Sequence, residues 1–197
     1  MKHPGTINFF NNSTNVEFEW SEKNFNKIKN ILKNYPSTKS QSAVMPVLQI
    51  AQKQNNGWLS KNAIEKVAET LNMSFIRVME IATFYSMFNL SPIGKYFIQI
   101  CRTTPCWLKG SQKILKVAKE VTNIEINDTT KDNLFTLVEV ECLGACCNAP
   151  VVQINNDYYE DLNENNFRKL LLNLKNGNPV NKGSQIERQC SAPIKNK

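Results

Sequence analysis

Six cysteines occupy positions 101, 106, 142, 146, 147 and 190 of a 197-residue chain, and four of them have the spacing of a metal or redox centre. Cys101 and Cys106 form a C-x4-C pair; Cys142 and Cys146 form a C-x3-C pair 35 residues further on. Structural zinc sites use cysteine pairs two to four residues apart, often with histidine. Iron–sulfur clusters also take all-thiolate pairs. Spacing alone leaves both open. The only histidine, His3, is distant in sequence and reads as a surface residue. A dithiol–disulfide oxidoreductase needs an attacking C-x-x-C pair, and none is present.

The surroundings of the cysteines favour iron–sulfur. Cys106 is expected at the start of a following helix, where unpaired N–H groups stabilise thiolate and sulfide charge. Gly144 and Ala145 lie between Cys142 and Cys146, so the backbone can wrap closely and donate to sulfur. Arg102 and Lys109 are placed to tune a potential. Cys147 is expected to be a buried thiol and Cys190 an incidental residue of the C-terminal tail.

The elements that must position these residues fall into two regimes. From about Ser21 to Leu90 the pattern is helical. Ser21 caps a helix burying Phe25, Ile28, Leu32 and Tyr35, and a second runs from about Ser42 to Gln54 with Pro46 near its first turn. Ser60 caps a third with Ile64, Val67, Ala68 and Leu71 at helical spacing, and Ser74 precedes a fourth. Phe84, Tyr85 and Phe88 read as core or interface packing.

After residue 92 the pattern becomes mixed. Lys95–Cys101 and Phe135–Cys142 read as strands that each end on a cysteine, joined through a helix over Gly110–Val121. Val151–Ile154 and Tyr158–Tyr159 form a hairpin. A last helix buries Phe167, Leu170, Leu171 and Leu174, with Gly177 as its stop. The order strand-helix-strand, strand-strand-helix fits a thioredoxin-like α/β sandwich. Strands of a βαβ unit run parallel, so Cys101 and Cys142 should emerge at one sheet edge. The expected organisation is α/β, with an N-terminal helical bundle (15–90), a thioredoxin-like domain (93–177) and an extended tail (178–197). Trp107 reads either as a water shield for the site or as plain packing. Pro150 lies where thioredoxin-like folds often hold a cis-proline.

Hydrophobic residues at 41% and charged residues at 21% are ordinary for a globular chain. The net charge of +7 permits nucleic-acid binding, but the basic residues are dispersed and no nucleic-acid motif is present. No apolar run is long enough to span a bilayer. The first twenty residues hold one Lys, no Arg, and both Glu17 and Glu19, unlike a signal peptide or presequence. The expectation is a bacterial cytoplasmic protein, with an already processed organellar one on the matrix side as the alternative, in a reducing compartment where thiols bind metal rather than pair as disulfides.

The segments C-R-T-T-P-C-W-L at 101–108 and E-C-L-G-A-C-C-N-A-P at 141–150 resemble the thioredoxin-like [2Fe–2S] subunit of respiratory complex I, NADH:quinone oxidoreductase. The likeness extends to A-T-F-Y-S-M-F at 82–88, N-G-W-L at 56–59, L-F-T-L at 134–137 and Y-Y-E-D-L at 158–162. It covers nearly everything from about residue 16 to 190. The resemblance implies that Cys101, Cys106, Cys142 and Cys146 bind one [2Fe–2S] cluster. It further implies a partner flavoprotein subunit holding FMN, NADH and a [4Fe–4S] cluster, and attachment to the cytoplasmic face of the membrane only through the assembled complex. Similar subunits serve NAD-linked hydrogenases and formate dehydrogenases, the nearest alternative; a zinc-stapled binding module is the alternative of another class. The chain has no G-x-G-x-x-G and no P-loop, so it is expected to carry electrons without a complete active site of its own.

Overall fold

A computed structural model describes residues 17–189; His3 and Cys190 lie outside them. The chain divides into two compact units, one ending at Ile93 and the other beginning at Gly94.

The first unit is helical. Helix α1 (Glu22–Leu32) begins where the Ser21 hydroxyl accepts from the Asn24 N–H, replacing one bond the first turn cannot make. Ile28 is its buried residue, and Leu32 and Tyr35 are half-buried. Phe25, expected in the core, is instead exposed, with the Lys29 ammonium 4.5 Å from its ring centroid. A 3-10 segment, Ser37–Ala43, leads into α2 (Val44–Gln54), so the regular helix starts two residues later than the sequence pattern implies. Helix α3 (Lys61–Leu71) is capped by the Ser60 hydroxyl and buries Ile64, Val67, Ala68 and Leu71. Helix α4 (Phe75–Phe84) follows Ser74, whose side chain makes no cap bond. Ile28, Val47, Leu48, Ile64, Leu71, Val78 and Phe88 form one core. Each such side chain contributes about 1.5–3 kcal/mol on burial.

The second unit is a five-stranded sheet with helices. Strands β1 (Tyr96–Cys101), β2 (Phe135–Val140), β3 (Val152–Ile154), β4 (Asp157–Glu160) and β5 (Gly183–Ser184) take the order β2-β1-β3-β4-β5. Strands β1 and β2 are parallel in the register Tyr96↔Phe135 to Cys101↔Val140. The crossover between them contains a five-residue helix α5 (Thr104–Leu108) and a longer α6 (Ser111–Thr122). Strand β3 runs antiparallel to β1, and β4 antiparallel to β3. Helix α7 (Glu164–Lys175) opens with a capping box made by Asn163 and Asn166. It packs on α6, and both helices share a core with the sheet through Ile114, Val117, Phe167, Leu171, Ile98 and Leu137.

Gly177, with φ +73°, follows α7. Residues 183–184, which the sequence leaves in an extended tail, return to the sheet as β5, parallel to β4 at Tyr159↔Gly183 and Glu160↔Ser184. Strands β1, β2, β4 and β5 therefore all end at one edge, and β3 begins there. No helix among the described residues is long and apolar enough to cross a membrane.

Candidate metal centre

That edge carries the cysteines. Cys101 is the last residue of β1, paired beside Val140 at the end of β2. Cys142 lies two residues beyond β2, which stops at Val140 rather than running to the cysteine. Cys146 opens a 3-10 turn, Cys146–Asn148, that leads through a cis Ala149–Pro150 bond into β3. Cys106 sits in the short α5, not at the head of the long helix: Gly110, at φ +95°, separates the two. The dipole of the long helix therefore does not reach Cys106 as the sequence suggests. The N–H groups that meet sulfur come from loops instead.

The four thiols form two pairs. Cys142 Sγ and Cys146 Sγ are 3.5 Å apart; two thiolates on one tetrahedral metal, with bonds of about 2.3 Å, stand about 3.8 Å apart. Cys101 and Cys106, both buried, share a side-chain hydrogen bond, and the charge of Cys146 is felt by Cys106. The buried pair nests among Ala145, Val151 and the half-buried Leu143 and Tyr158.

Donors converge on these sulfurs. The Gly144 N–H points at Cys142 Sγ at 3.4 Å, a geometry that depends on φ +83°, which only glycine adopts without strain. The N–H groups of Thr103 and Leu143 reach Cys101, and that of Val151 reaches Cys106. The Thr103 hydroxyl lies 3.3 Å from Cys101 Sγ and also bonds Cys142, joining the two pairs.

These contacts sort the thiols. Burial pushes Cys101 up, but Thr103, Leu143 and Cys106 outweigh it and the net shift is downward. Burial, with Cys101 beside it, pushes Cys106 up to about 12. The Gly144 N–H, then Cys146 and Thr103, bring Cys142 down, while Cys142 raises Cys146. Within each pair one thiol is thus shifted down and its neighbour up, and metal binding to thiols releases protons.

Two pairs differ from four donors around a point. Among the described residues, no three His, Cys, Asp or Glu side chains are grouped so that they could share one metal ion. Two thiol pairs are the donor set that a cluster takes when each of its two irons binds two thiolates.

Several residues fall elsewhere than expected. Cys147 is exposed, not buried. Arg102 and Lys109 are exposed, and the guanidinium found on the cysteine loop is that of Arg188, 2.8 Å from the Cys147 carbonyl oxygen. Trp107 is 53% exposed, so it neither seals the site nor packs in a core. Phe88 is buried, whereas Phe84, Tyr85 and Met87 are exposed. Thr103 was not singled out by sequence; a hydroxyl two residues after the first cysteine is the only signal it leaves.

A model of the thioredoxin-like [2Fe–2S] ferredoxin family matches residues 28–175. A subunit of the NADH-quinone oxidoreductase of Rickettsia typhi is 57% identical, over 81% of this chain and 94% of that protein. NADH dehydrogenase [ubiquinone] flavoprotein 2, mitochondrial, of Dictyostelium discoideum is 45% identical, over 91% of this chain and 73% of that protein. Among solved structures, an NAD+-reducing [NiFe]-hydrogenase in the H2-reduced state aligns with TM-score 0.61 and 19% identity. The alignment covers 68% of this chain and 23% of the hydrogenase chain, and it speaks for the fold alone.

Proposed function

The chain belongs to the thioredoxin-like [2Fe–2S] ferredoxin family, and from that membership we propose that it is the electron-transfer subunit of an NADH:quinone oxidoreductase, with Cys101, Cys106, Cys142 and Cys146 as the ligands of its one [2Fe–2S] cluster. The observation that supports the ligand assignment is the meeting of two thiol pairs at one sheet edge. A bound cluster supplies a one-electron couple at this edge.

The protein's own residues do the rest. Cys101 and Cys106 anchor the buried side of the site, and Cys142 and Cys146 hold the side open to solvent. The N–H groups of Thr103, Leu143, Gly144 and Val151 meet negative sulfur, as does the Thr103 hydroxyl. Such donors stabilise the more negative state and raise a reduction potential. Leu143, Ala145, Val151 and Tyr158 keep water from the inner pair.

No nucleotide-binding motif is present in the sequence, so the hydride chemistry belongs to a partner flavoprotein subunit that holds FMN and NADH. The helical unit is the docking element for that partner and its neighbours in the complex. Phe84, Tyr85 and Met87 at the end of α4 support this: they are 78%, 41% and 51% exposed, unusual for side chains of that kind clustered in sequence. The chain is held peripherally on the cytoplasmic face of the membrane through the complex.

Iron and acid-labile sulfide analysis of the purified protein, with EPR after reduction, tests the reading. Two irons and two sulfides per chain and a reduced-state EPR signal are expected. Cys142→Ser loses most of the cluster, whereas Cys147→Ser keeps it. A colourless protein carrying one zinc, or identical behaviour of the two variants, overturns the assignment.

A further inference from the structure

The loop that presents Cys146 has little packing of its own. Of residues 141–150, Glu141, Cys142, Gly144, Cys146 and Cys147 are exposed, and Ala145, Asn148 and Pro150 are buried. Asn148 is polar, yet only 3% exposed, and a buried amide must find partners. Its side-chain N–H group donates to the buried Glu160 carboxylate and to the Gln189 carbonyl, each at 2.7 Å. Its backbone carbonyl accepts from the Asp161 N–H at 2.8 Å.

Gln189 belongs to a segment that starts at β5. Beyond Ser184 the chain runs along the cysteine edge, and Arg188 forks onto Asp161. Its Nε lies 3.0 and 2.9 Å from the two carboxylate oxygens, and one terminal nitrogen lies 2.7 Å from Oδ1. The same terminal nitrogen donates to the Cys147 carbonyl at 2.8 Å. The Ser184 hydroxyl donates to Asp161 Oδ2 at 2.6 Å. The Asp161 side chain is only 7% exposed, which screens this pair less than a surface ion pair. Two consecutive residues of the loop, Cys147 and Asn148, are thus held by two consecutive residues of the segment, Arg188 and Gln189.

We propose that residues 184–189 form a strap that fixes the Cys146 ligand for the cluster, with Arg188 as the positioning residue through its joint hold on Asp161 and the Cys147 carbonyl. The proposal rests on Cys146 being a ligand. A cluster held by a mobile loop exchanges its thiolate readily; a loop pinned at the two residues that follow the sulfur does not. Arginine is suited to the task because its planar fork serves a carboxylate and a carbonyl together, which the single ammonium of lysine does not. The strap also brings a positive charge to the rim of a site whose reduced state is more negative.

The test uses the full chain. In metal-free protein, Arg188→Ala speeds amide exchange at Asn148 and Ala149, which donate to Ala145 and Cys146 carbonyls. In loaded protein, Arg188→Ala speeds cluster loss to an iron chelator by about tenfold or more, the scale of removing a supporting contact at a metal site. It also lowers the reduction potential, while Arg188→Lys restores part of the potential and less of the retention. Lys182→Ala, which removes only the exposed pair with Asp157, serves as control and changes neither. Cluster loss from Arg188→Ala within about twofold of wild type, or an equal effect from Lys182→Ala, overturns the strap. Retention of the cluster by Cys146→Ser overturns the ligand assignment instead, so the two failures are told apart.

Discussion

Replacing Gly94 by alanine strikes the register that brings the two cysteine loops together. Gly94 is buried at the entry to β1, and its N–H donates to the Thr136 hydroxyl at 2.6 Å. An ideal Cβ there would stand 2.8 Å from the Phe135 carbonyl carbon, 2.9 Å from the Phe135 nitrogen and 3.0 Å from the Leu134 carbonyl carbon. All three are backbone atoms of β2 or its approach, so no side chain can swing aside and the two strands must part. Overpacking of this kind costs about 1–3 kcal/mol. Stretching the buried N–H from its only acceptor among the described contacts adds about 1–3 kcal/mol. The stiffer unfolded chain of the alanine variant returns about 0.4–1 kcal/mol. The net is about 1–6 kcal/mol, or roughly 4–45 °C in melting temperature for a unit of this size. Thermal unfolding of the loaded protein, followed in parallel by far-ultraviolet and visible circular dichroism, measures it. Thr136→Val removes the acceptor while keeping the shape, and costs about 1–3 kcal/mol. The double variant costs less than the two together because both lose one shared hydrogen bond. Melting of Gly94→Ala within about 3 °C of wild type would refute the close-approach reasoning.

Asp161 gives the strap a pH limit. Burial raises its carboxyl, but hydrogen bonds from Arg188 and Ser184 and the Arg188 charge outweigh this and hold it below the ordinary value of 3.8. A depressed carboxyl stabilises fully above its unfolded value and loses that contribution as pH falls through the folded one. Strap docking is therefore constant from neutral pH down to the ordinary carboxylate range and fails below it. Proteolysis of residues 184–189 by an acid-active protease across that range reads the change; Asp161→Asn should show weakened docking even at pH 7, and a docking profile identical to wild type would count against the pair. Phe84→Ser, at a position 78% exposed, should leave stability within about 0.5 kcal/mol and the iron content unchanged. It should weaken co-purification with the flavoprotein; full retention of the partner would remove the docking role of α4.

The chemistry was legible because it is carried by residue type and local order. Two thiol pairs, each at the end of an alternating apolar run with a helix between, imply parallel strands finishing at a common edge, and β1 and β2 are parallel with Cys101 beside Val140. Helix faces such as Ile64, Val67, Ala68 and Leu71 follow from a 3.6-residue period that neighbouring residues alone define. What lay outside reach depends on contacts that no period encodes. Gly110 detaches Cys106 from the long helix through a local break, and Phe25 lies at a helical position yet finds no core partner. Arg188 looks like any surface cation until the fold brings it across 41 positions to Cys147 and 27 to Asp161. Thr103 becomes a bridge between thiol pairs only once two loops meet. Sequence by itself offered which atoms could bind metal and which strands would bring them to one edge; tertiary structure alone decided which side chains and distant segments meet around them, because that depends on pairings between segments whose local patterns are silent about each other.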